Sequence, residues 1–333
     1  MPLIELNKNG IYCAAAGVYI DPWRPVDKAL ITHGHSDHSR FGHRSYLCTH
    51  ASVPIIKHRL GKINITGVGY GEVTTINGIK FSFHPAGHII GSGQVRAEGK
   101  GEVWVISGDY KTENDGISGS FEPVKCSHFI TESTFGLPVY KWRDQSEVFN
   151  EINEWWRENQ AQGKTTIITA YSLGKAQRIL HNIDHTIGKI FCHGAIANMN
   201  EAIRNSGIEI KETSRIANES NPKDFTGNLI ITPPGALGSS WIKRFKNISV
   251  GIASGWMMLR GARRRRGADR GFVLSDHCDW DGLNESIAAT GAENIYPTHG
   301  YTEIFSRWLR EQGYNSQPLE TEFEGESLDK KEV

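Results

Sequence analysis

The run HGHSDH at His33–His38 follows the apolar segment ALIT directly, and it limits what this chain can fold into. It places three imidazoles and one carboxylate within a single turn after a strand. Because alternate residues of an extended chain share a face, His33 and His35 can bind one cation. The turn at Asp37 and His38 then directs two more ligands toward a second cation. Such ligands suit zinc, with manganese, iron or nickel as substitutes; a polar surface loop is the alternative interpretation.

Three further candidate ligands stand at the ends of apolar, strand-like segments beside glycine. His88 follows the segment Ile79–Phe83, Asp109 follows the segment VWVI, and His299 follows a short apolar run. Any one of them alone would be read as a hydrogen-bonded histidine or a turn aspartate. Together they repeat the arrangement of the HGHSDH run, so the sequence predicts a joint site for two metal ions.

The formal net charge is zero, but the charges are unevenly distributed. The segment Lys243–Arg270 contains nine Lys or Arg and one acid, whereas the segment Glu320–Val333 contains six acids and two lysines. The acidic segment lacks apolar periodicity, which predicts a partly disordered end. A basic segment is often only a solvated face. Beside a hydrolytic metal site, however, it favours binding of a phosphate backbone.

Length and cysteine usage set the general class of protein. A chain of 333 residues is long enough for two domains. Its five cysteines are odd in number and never form C-x-x-C, which disfavours a disulfide framework and a structural zinc finger. No signal peptide and no run of about 20 apolar residues is evident. We therefore expect a cytoplasmic protein with no membrane segment.

The pattern of elements changes along the chain. Up to about Phe135 it predicts short strands with glycine-marked turns and one helix over Ser52–Leu60. From Gln145 helices and strands alternate, which predicts parallel strand pairing with crossover helices. The predicted helices are 145–162, 174–183 and 197–205, and the predicted strands are 165–169 and 187–192. The fold class is therefore α/β, with one domain inserted into another.

The motifs resemble those of the metallo-β-lactamase fold. The residues that carry the likeness are Asp21, the His33–His38 run, His88, Asp109 and His299. The sequences AGHxxGS at 86–92, TESTFG at 131–136 and SDHCD at 275–279 resemble the β-CASP branch, whose known members are nucleases. The stretch from Gly255 to His277, with the sequence FGLP at 135–138 and Tyr140, is similar to bacterial DNA ligase-associated exonucleases, and the likeness runs essentially end to end.

This resemblance implies an architecture. It is a four-layer αββα metallo-β-lactamase core with an inserted α/β β-CASP cap domain. Residues 1–136 would form the first part of the core, residues 137–268 the cap, and residues 269–333 the second part of the core with the acidic tail.

The resemblance also implies roles for the candidate ligands. His33, His35 and His88 would hold the first metal ion. Asp37, His38 and His299 would hold the second, Asp109 would bridge both, and Asp21 would orient ligands from behind them. The cofactors would be two divalent ions, zinc with manganese as the alternative.

The implied catalytic residues are Asp37, Asp109, Glu132 and His277. A hydroxide shared by two cations would attack phosphorus, since coordination brings bound water to a pKa of about 7. His277 is the candidate general acid, with Glu132 holding its tautomer. An ordinary loop contact between Glu132 and His277 is the alternative. Nucleic acid is predicted to contact Ser172, Lys175, Arg260, Arg263, Arg264, Arg265 and Arg266.

The predicted function is metal-dependent DNA exonuclease activity in DNA repair, alongside an ATP-dependent DNA ligase and a helicase. A ribonuclease of the same chemistry is the alternative, because His299 stands where RNA-processing β-CASP members mainly carry histidine. A small-molecule hydrolase would need neither cap nor arginine cluster. A binding module without activity would not need every expected ligand.

Overall fold

The computed structural model describes residues 2–217, 220–259 and 267–323. The described residues divide into two compact units. Unit 1 comprises residues 2–141 and 276–323, and unit 2 comprises the described part of 142–275. Both units combine strands and helices, which confirms the predicted α/β class. Within the described ranges no helix has both the length and the apolar character to cross a membrane.

The first sheet of unit 1 contains six strands that neighbour one another in chain order. They are β1 (Glu5–Asn7), β2 (Gly10–Cys13), β3 (Val18–Ile20), β4 (Lys28–Leu30), β5 (Ser45–Thr49) and β6 (Ile65–Val68). The first three strands pair antiparallel, and strands β3 to β6 pair parallel. The HGHSDH run therefore leaves the carboxyl end of an interior parallel strand.

The second sheet of unit 1 contains seven strands in the order β19-β18-β11-β10-β9-β8-β7. They are β7 (Thr74–Ile76), β8 (Ile79–Pro85), β9 (Gly93–Gly99), β10 (Glu102–Ile106), β11 (His128–Ser133), β18 (Asn294–Gly300) and β19 (Asn315–Ser316). Strands β10, β11, β18 and β19 pair parallel. Adjacent parallel strands end at one edge, so Asp109, Glu132 and His299 lie near one another.

Three apolar clusters hold unit 1 together. One contains residues of both sheets, including Val18, Leu30 and Phe81. A second joins the opposite face of the second sheet to helices α5 (Trp280–Thr290) and α6 (Thr302–Glu311). A third joins the first sheet to helix α1 (Ser52–Leu60), whose bounds match the predicted helix.

Unit 2 is built on one six-stranded sheet of order β14-β13-β15-β12-β16-β17. Its strands are β12 (Thr165–Thr169), β13 (Ile190–Cys192), β14 (Ser214–Arg215), β15 (Leu229–Thr232), β16 (Ile248–Ala253) and β17 (Arg270–Phe272). All of its pairings are parallel, which confirms the pairing predicted from the alternating pattern.

The helices of unit 2 connect these strands. They are α2 (Gln145–Ala161), α3 (Lys175–Asn182) and α4 (Gly194–Arg204), with 3₁₀ helices at Pro222–Phe225, Pro234–Ala236, Ile242–Arg244 and Gly255–Met258. Each predicted helix is present, with ends shifted by at most three residues. Helix α2 begins where predicted because the Asp144 side chain accepts a hydrogen bond from the Ser146 amide.

Candidate metal centre

The HGHSDH loop turns sharply at the end of β4. The amides of His38 and Ser39 both donate to the carbonyl of His35, at 3.3 and 2.8 Å. This turn brings the His38 ring within 4.1 Å of the His33 ring, measured between centroids. His33 and His38 are buried, and His35 is partly exposed. The loop therefore presents three imidazoles to one location inside unit 1.

The first candidate ligand group consists of His33, His35, His88 and Asp109. One side-chain atom from each lies within 4.8 Å of the others. His88 Nε2 is 3.0 Å from His35 Nδ1. Asp109 Oδ2 lies 3.5 Å from His33 Nε2 and 3.7 Å from His88 Nε2. Three nitrogens and one oxygen are a ligand set that suits zinc.

The second candidate group consists of His38, Asp109 and His299. Asp109 Oδ1 lies 2.8 Å from His299 Nε2 and 3.6 Å from His38 Nε2. Asp109 Oδ2 faces the first group, so the two oxygens of one carboxylate are divided between two groups of imidazoles. This is the geometry expected of a carboxylate that bridges two cations.

Several inward-facing atoms of these groups lack a hydrogen-bond partner. Among the described residues they include the Nε2 atoms of His33, His38 and His299 and Oδ1 of Asp109. His299 Nε2 and Asp109 Oδ1 are 2.8 Å apart, yet they are not aligned for a hydrogen bond. Leaving a buried polar atom unsatisfied costs about 1–3 kcal/mol. Cations between these atoms would satisfy all four, so the residues fit divalent metal ions.

Asp21 fixes the orientation of two of the histidines. Its Oδ2 lies 2.8 Å from His38 Nδ1 and accepts the Thr32 hydroxyl at 2.5 Å. Thr32 Oγ1 in turn lies 3.0 Å from His33 Nδ1. Each Nδ1 therefore donates outward and leaves Nε2 as the metal-facing lone pair. Asp21 has a φ of 43°, an uncommon conformation for a residue other than glycine.

Backbone and hydroxyl groups orient His88 and His299 in the same way. The carbonyl of Asp276 lies 2.8 Å from His88 Nδ1, and Thr298 Oγ1 lies 2.8 Å from His299 Nδ1. His299 has a φ of 24°, so its ring is presented from strained backbone. The sequence did not indicate that Thr32, Asp276 and Thr298 orient histidines, because each of them only stands next to a motif residue.

The histidines and carboxylates of the centre strongly affect one another's pKa values. Burial lowers the pKa of His38, but the carboxylates of Asp109, Asp37 and Asp21 outweigh it and raise that pKa to about 10. Burial and neighbouring imidazoles hold the pKa values of His33 and His88 well below their usual range. Burial raises the pKa of Asp109, yet nearby histidines, first His38, lower it well below its usual range.

Asp37 lies beside the second group but outside the set of mutually close ligand atoms. Its Oδ2 is 3.8 Å from His38 Nε2. Burial raises the pKa of Asp37, but His38, His35 and His33 together lower it further, so the net direction is downward. Its predicted role as a ligand of the second metal therefore stays a prediction.

Glu132 and His277 form a buried pair next to Asp109. His277 Nδ1 lies 2.9 and 2.8 Å from the two carboxylate oxygens of Glu132. Glu132 Oε1 also accepts the backbone amide of Tyr110 at 2.8 Å, so the carboxylate is held on both sides. Asp109, Glu132 and His277 form a third cluster of close ligand atoms. The His277 and His88 ring centroids are 4.6 Å apart.

Of the residues predicted to contact nucleic acid, the structure describes Ser172 and Lys175. Ser172 precedes α3, and its carbonyl accepts a hydrogen bond from Gln177 Nε2 at 2.9 Å. Lys175 is the first residue of α3; it is fully buried, with Nζ 5.1 Å from the Tyr171 ring centroid. Its contact with a phosphate backbone remains a prediction. The predicted contacts of Arg260, Arg263, Arg264, Arg265 and Arg266 lie outside the described residues.

One further residue at the centre comes from the acidic segment predicted to be partly disordered. The Phe323 ring stacks on the His38 imidazole at 4.4 Å, with 5° between the ring planes. Nothing in the local sequence indicates this contact. Residues 324–333 of that segment lie outside the described residues.

No protein-family model matches the chain. The chain is 28% identical over 320 residues to a probable DNA ligase of Opitutus terrae, covering 94% of this chain and 31% of that protein. It is 26% identical over 192 residues to an RNase J-like protein of Methanocaldococcus jannaschii, covering 49% and 45%. It is 30% identical over 122 residues to endoribonuclease YSH1 of Saccharomyces cerevisiae, covering 36% and 15%. The chain thus spans less than half the length of these curated relatives.

A crystal structure of a protein of unknown function from Enterococcus faecalis V583 shares the fold with a TM-score of 0.62. It is 12% identical and the match covers 89% of this chain and 79% of that one, so the likeness concerns the fold alone. Two of the three relatives carry ribonuclease names. Together the similarities support the resemblance to β-CASP nucleases, and they do not single out the DNA ligase-associated exonucleases within that branch.

Proposed function

We propose that this chain is a metal-dependent phosphodiesterase of the β-CASP branch that degrades nucleic acid, acting as a DNA exonuclease in repair. The observation that carries the proposal is the position of Asp109. Its two oxygens are divided between two groups of buried imidazoles, and the Glu132–His277 pair lies beside it. A metal-dependent hydrolytic centre for phosphodiesters combines these two components, a cation site and an adjacent proton donor.

The ligand groups would hold two divalent ions, zinc or manganese. His33, His35 and His88 would hold one ion, His38 and His299 the other, and Asp109 both, with Asp37 as a further ligand of the second. When bound, the ions supply Lewis acidity and activate water at neutral pH. The unsatisfied Nε2 atoms of His33, His38 and His299 support this assignment.

His277 would act as the general acid of the reaction. Its Nδ1 is held by the Glu132 carboxylate, so the proton available for transfer is on Nε2. Glu132 also stabilises the imidazolium form by its negative charge. When the bond between phosphorus and the leaving sugar oxygen breaks, His277 Nε2 would donate its proton to that oxygen. Water supplies the oxygen that becomes attached to phosphorus.

The division of the chain into two units supports the domains that the resemblance implies, although the unit boundaries lie a few residues from the predicted ones. We propose that unit 1 is the αββα metallo-β-lactamase core. Its apolar clusters support this, since one joins the two sheets and the others join each sheet to helices. Unit 2, with its parallel sheet, would be the β-CASP cap domain, which the sequence places at residues 137–268.

DNA is the proposed substrate because the alignment with a protein named as a probable DNA ligase covers 94% of this chain. From the resemblance in sequence we also propose that the chain acts with an ATP-dependent DNA ligase and a helicase. RNA is the alternative substrate, which the relatives named as ribonucleases support about equally. In either case the polyanion would contact Ser172, Lys175 and the arginines at 260 and 263–266.

Cleavage of matched substrates tests the proposal. The purified chain is incubated with end-labelled DNA and RNA of one sequence, single- and double-stranded, with zinc, manganese or a chelator. We expect metal-dependent shortening of DNA from its ends and slower loss of RNA. Faster cleavage of RNA would select the ribonuclease alternative. Absence of metal-dependent cleavage of any of the four would contradict the proposed activity.

A further inference from the structure

Residues 317–323, here called the latch segment, run from the second sheet of unit 1 to the metal centre. The Gln317 amide donates to the Ile295 carbonyl at 3.3 Å, and the Leu319 amide donates to the Pro297 carbonyl at 2.9 Å. Leu319 and Phe323 pack against the apolar cluster shared by the two sheets. The latch segment is therefore attached to the fold on both sides of Glu322.

Glu322 anchors the latch segment near the HGHSDH loop. Its two carboxylate oxygens accept hydrogen bonds from Arg24 Nη1 and Nη2, each at 2.6 Å. Its backbone carbonyl accepts Arg40 Nη2 at 2.9 Å. The bidentate pair fixes direction as well as distance, although both side chains are exposed and the pair is screened by water.

The anchor places Phe323 on the second ligand group. Its ring stacks on His38 at 4.4 Å and meets His299 edge-on at 5.9 Å and 77°. The Trp23 ring also meets the Phe323 ring edge-on, with the centroids 5.7 Å apart. Within the described residues, the ring contacts of Phe323 are with these three side chains. The histidines of the first group instead pack on one another, with centroids 4.9–5.0 Å apart.

The His38 imidazole can move in two ways, within its plane and by tilting. The bond from Nδ1 to Asp21 restrains the ring in its plane. Tilting about that bond would swing Nε2 away from Asp109 and His299. A flat aromatic surface at stacking distance opposes this tilt, since ring pairs gain energy only in particular orientations.

We propose that Phe323 is a positioning residue that retains the metal ion of the second group, held in place by the Glu322–Arg24 anchor. The inference rests on the proposed function, because it needs ions at both groups. Phe323 holds the face of the His38 ring and meets the His299 ring edge-on. Among the described histidines of the two groups, Phe323 has ring contacts with His38 and His299, both of the second group, so we expect a selective effect on that group.

Zinc release measures this selectivity directly. The zinc-loaded chain is mixed with excess chelating dye, and release is followed in time without substrate. Release from His299→Ala and His88→Ala identifies the phases of the second and first groups. In Phe323→Ala we expect the second-group phase to accelerate about 10- to 100-fold, the usual effect of removing a residue that orients a metal ligand. The first-group phase should be unchanged.

Matched variants separate stacking from apolar bulk and from folding. Phe323→Tyr keeps the ring and should release zinc like the wild type, whereas Phe323→Leu should release it faster. Glu322→Gln keeps Phe323 and should accelerate the same phase by about fivefold or less, as expected for an exposed ion pair. Phe41→Ala is the control, because the Phe41 side chain is 71% exposed.

The outcomes separate the latch from the proposed function. Unchanged release in Phe323→Ala, or equal acceleration of both phases, would overturn the latch while leaving a two-metal centre in place. Equal release from Phe323→Leu and Phe323→Tyr would also overturn it, since stacking would be unnecessary. A wild-type chain that retains neither zinc nor manganese would remove the proposed function itself, and the latch with it.

Discussion

Substituting Asp109 by asparagine removes one buried negative charge and keeps the shape of the side chain. The carboxylate faces four imidazoles at distances between 2.8 and 3.7 Å from their Nε2 atoms. The asparagine side chain could still offer one oxygen, but its amide nitrogen would face the other group as a donor. We therefore expect the loss of at least one metal ion and of cleavage activity.

The magnitude follows from the distance between Asp109 Oδ1 and His38 Nε2. At 3.6 Å and an effective dielectric constant of about 20, two unit charges interact by about 5 kcal/mol. A divalent ion held by the same residues gains at least this much from the carboxylate. Since about 1.4 kcal/mol corresponds to a factor of ten, metal affinity should fall at least about 10³-fold.

The charge of His38 guides the choice of pH for the assay. Without the Asp109 charge the pKa of His38 should fall, because Asp109 is the first of the carboxylates that raise it. A mildly alkaline buffer of about pH 8 therefore favours the neutral imidazole in the Asp109→Asn variant and lowers the cost of a buried cation without its partner. Metal content by mass spectrometry, circular dichroism and DNA cleavage are measured together at this pH.

Asp281→Asn is the matched control, since it makes the same change at an exposed carboxylate that pairs with Lys141. It should keep two metal ions and full activity. A folded Asp109→Asn variant with two ions per chain and near-normal turnover would refute the bridging assignment. An unfolded variant that zinc does not rescue would show that Asp109 is required mainly for stability.

Three further predictions follow from the centre and the basic segment. His277→Ala should keep both metal ions while turnover falls about 10²- to 10⁴-fold; a nitrophenyl phosphodiester should lose less, and equal losses on both substrates would exclude His277 as the general acid. In metal-free protein the free energy of unfolding should peak near pH 6.5. Protonated His38, with a pKa raised to about 10, contributes its full stabilisation below pH 6.5. As the pH rises from 6.5 to 10, up to about 5 kcal/mol of this contribution to the free energy of unfolding is lost. Below pH 6.5 the free energy of unfolding falls, because His33 and His88 have lowered pKa values in the folded chain. Denaturant titration across pH 5–10 should therefore show a maximum, and bound zinc should abolish the decrease on its alkaline side. Neutralising Arg263, Arg264, Arg265 and Arg266 should flatten the slope of log affinity against log salt by about 0.7–0.9 per lost phosphate contact, and an unchanged slope would place the nucleic acid elsewhere.

The sequence by itself determined the ligand types and the elements that carry them. His33, His35 and His38 lie within one turn, so their proximity is a local property that spacing alone predicts. The strands before His88, Asp109 and His299 were readable because apolar runs ending at glycine are local signals. The parallel pairing in unit 2 was readable for a similar reason, since alternating helices and strands permit few other connections.

Only the tertiary structure decided how these residues share atoms. The division of the Asp109 oxygens between two groups depends on the side-by-side pairing of β10, β11 and β18, which no local pattern specifies. Asp37 was predicted as a ligand of the second metal ion; its Oδ2 lies 3.8 Å from His38 Nε2, outside the sets of close ligand atoms, and its role stays a prediction. Phe323 belongs to a segment whose composition predicts partial disorder. Its position on His38 depends on Glu322 meeting Arg24 and Arg40, a contact between distant residues that only the folded chain brings together.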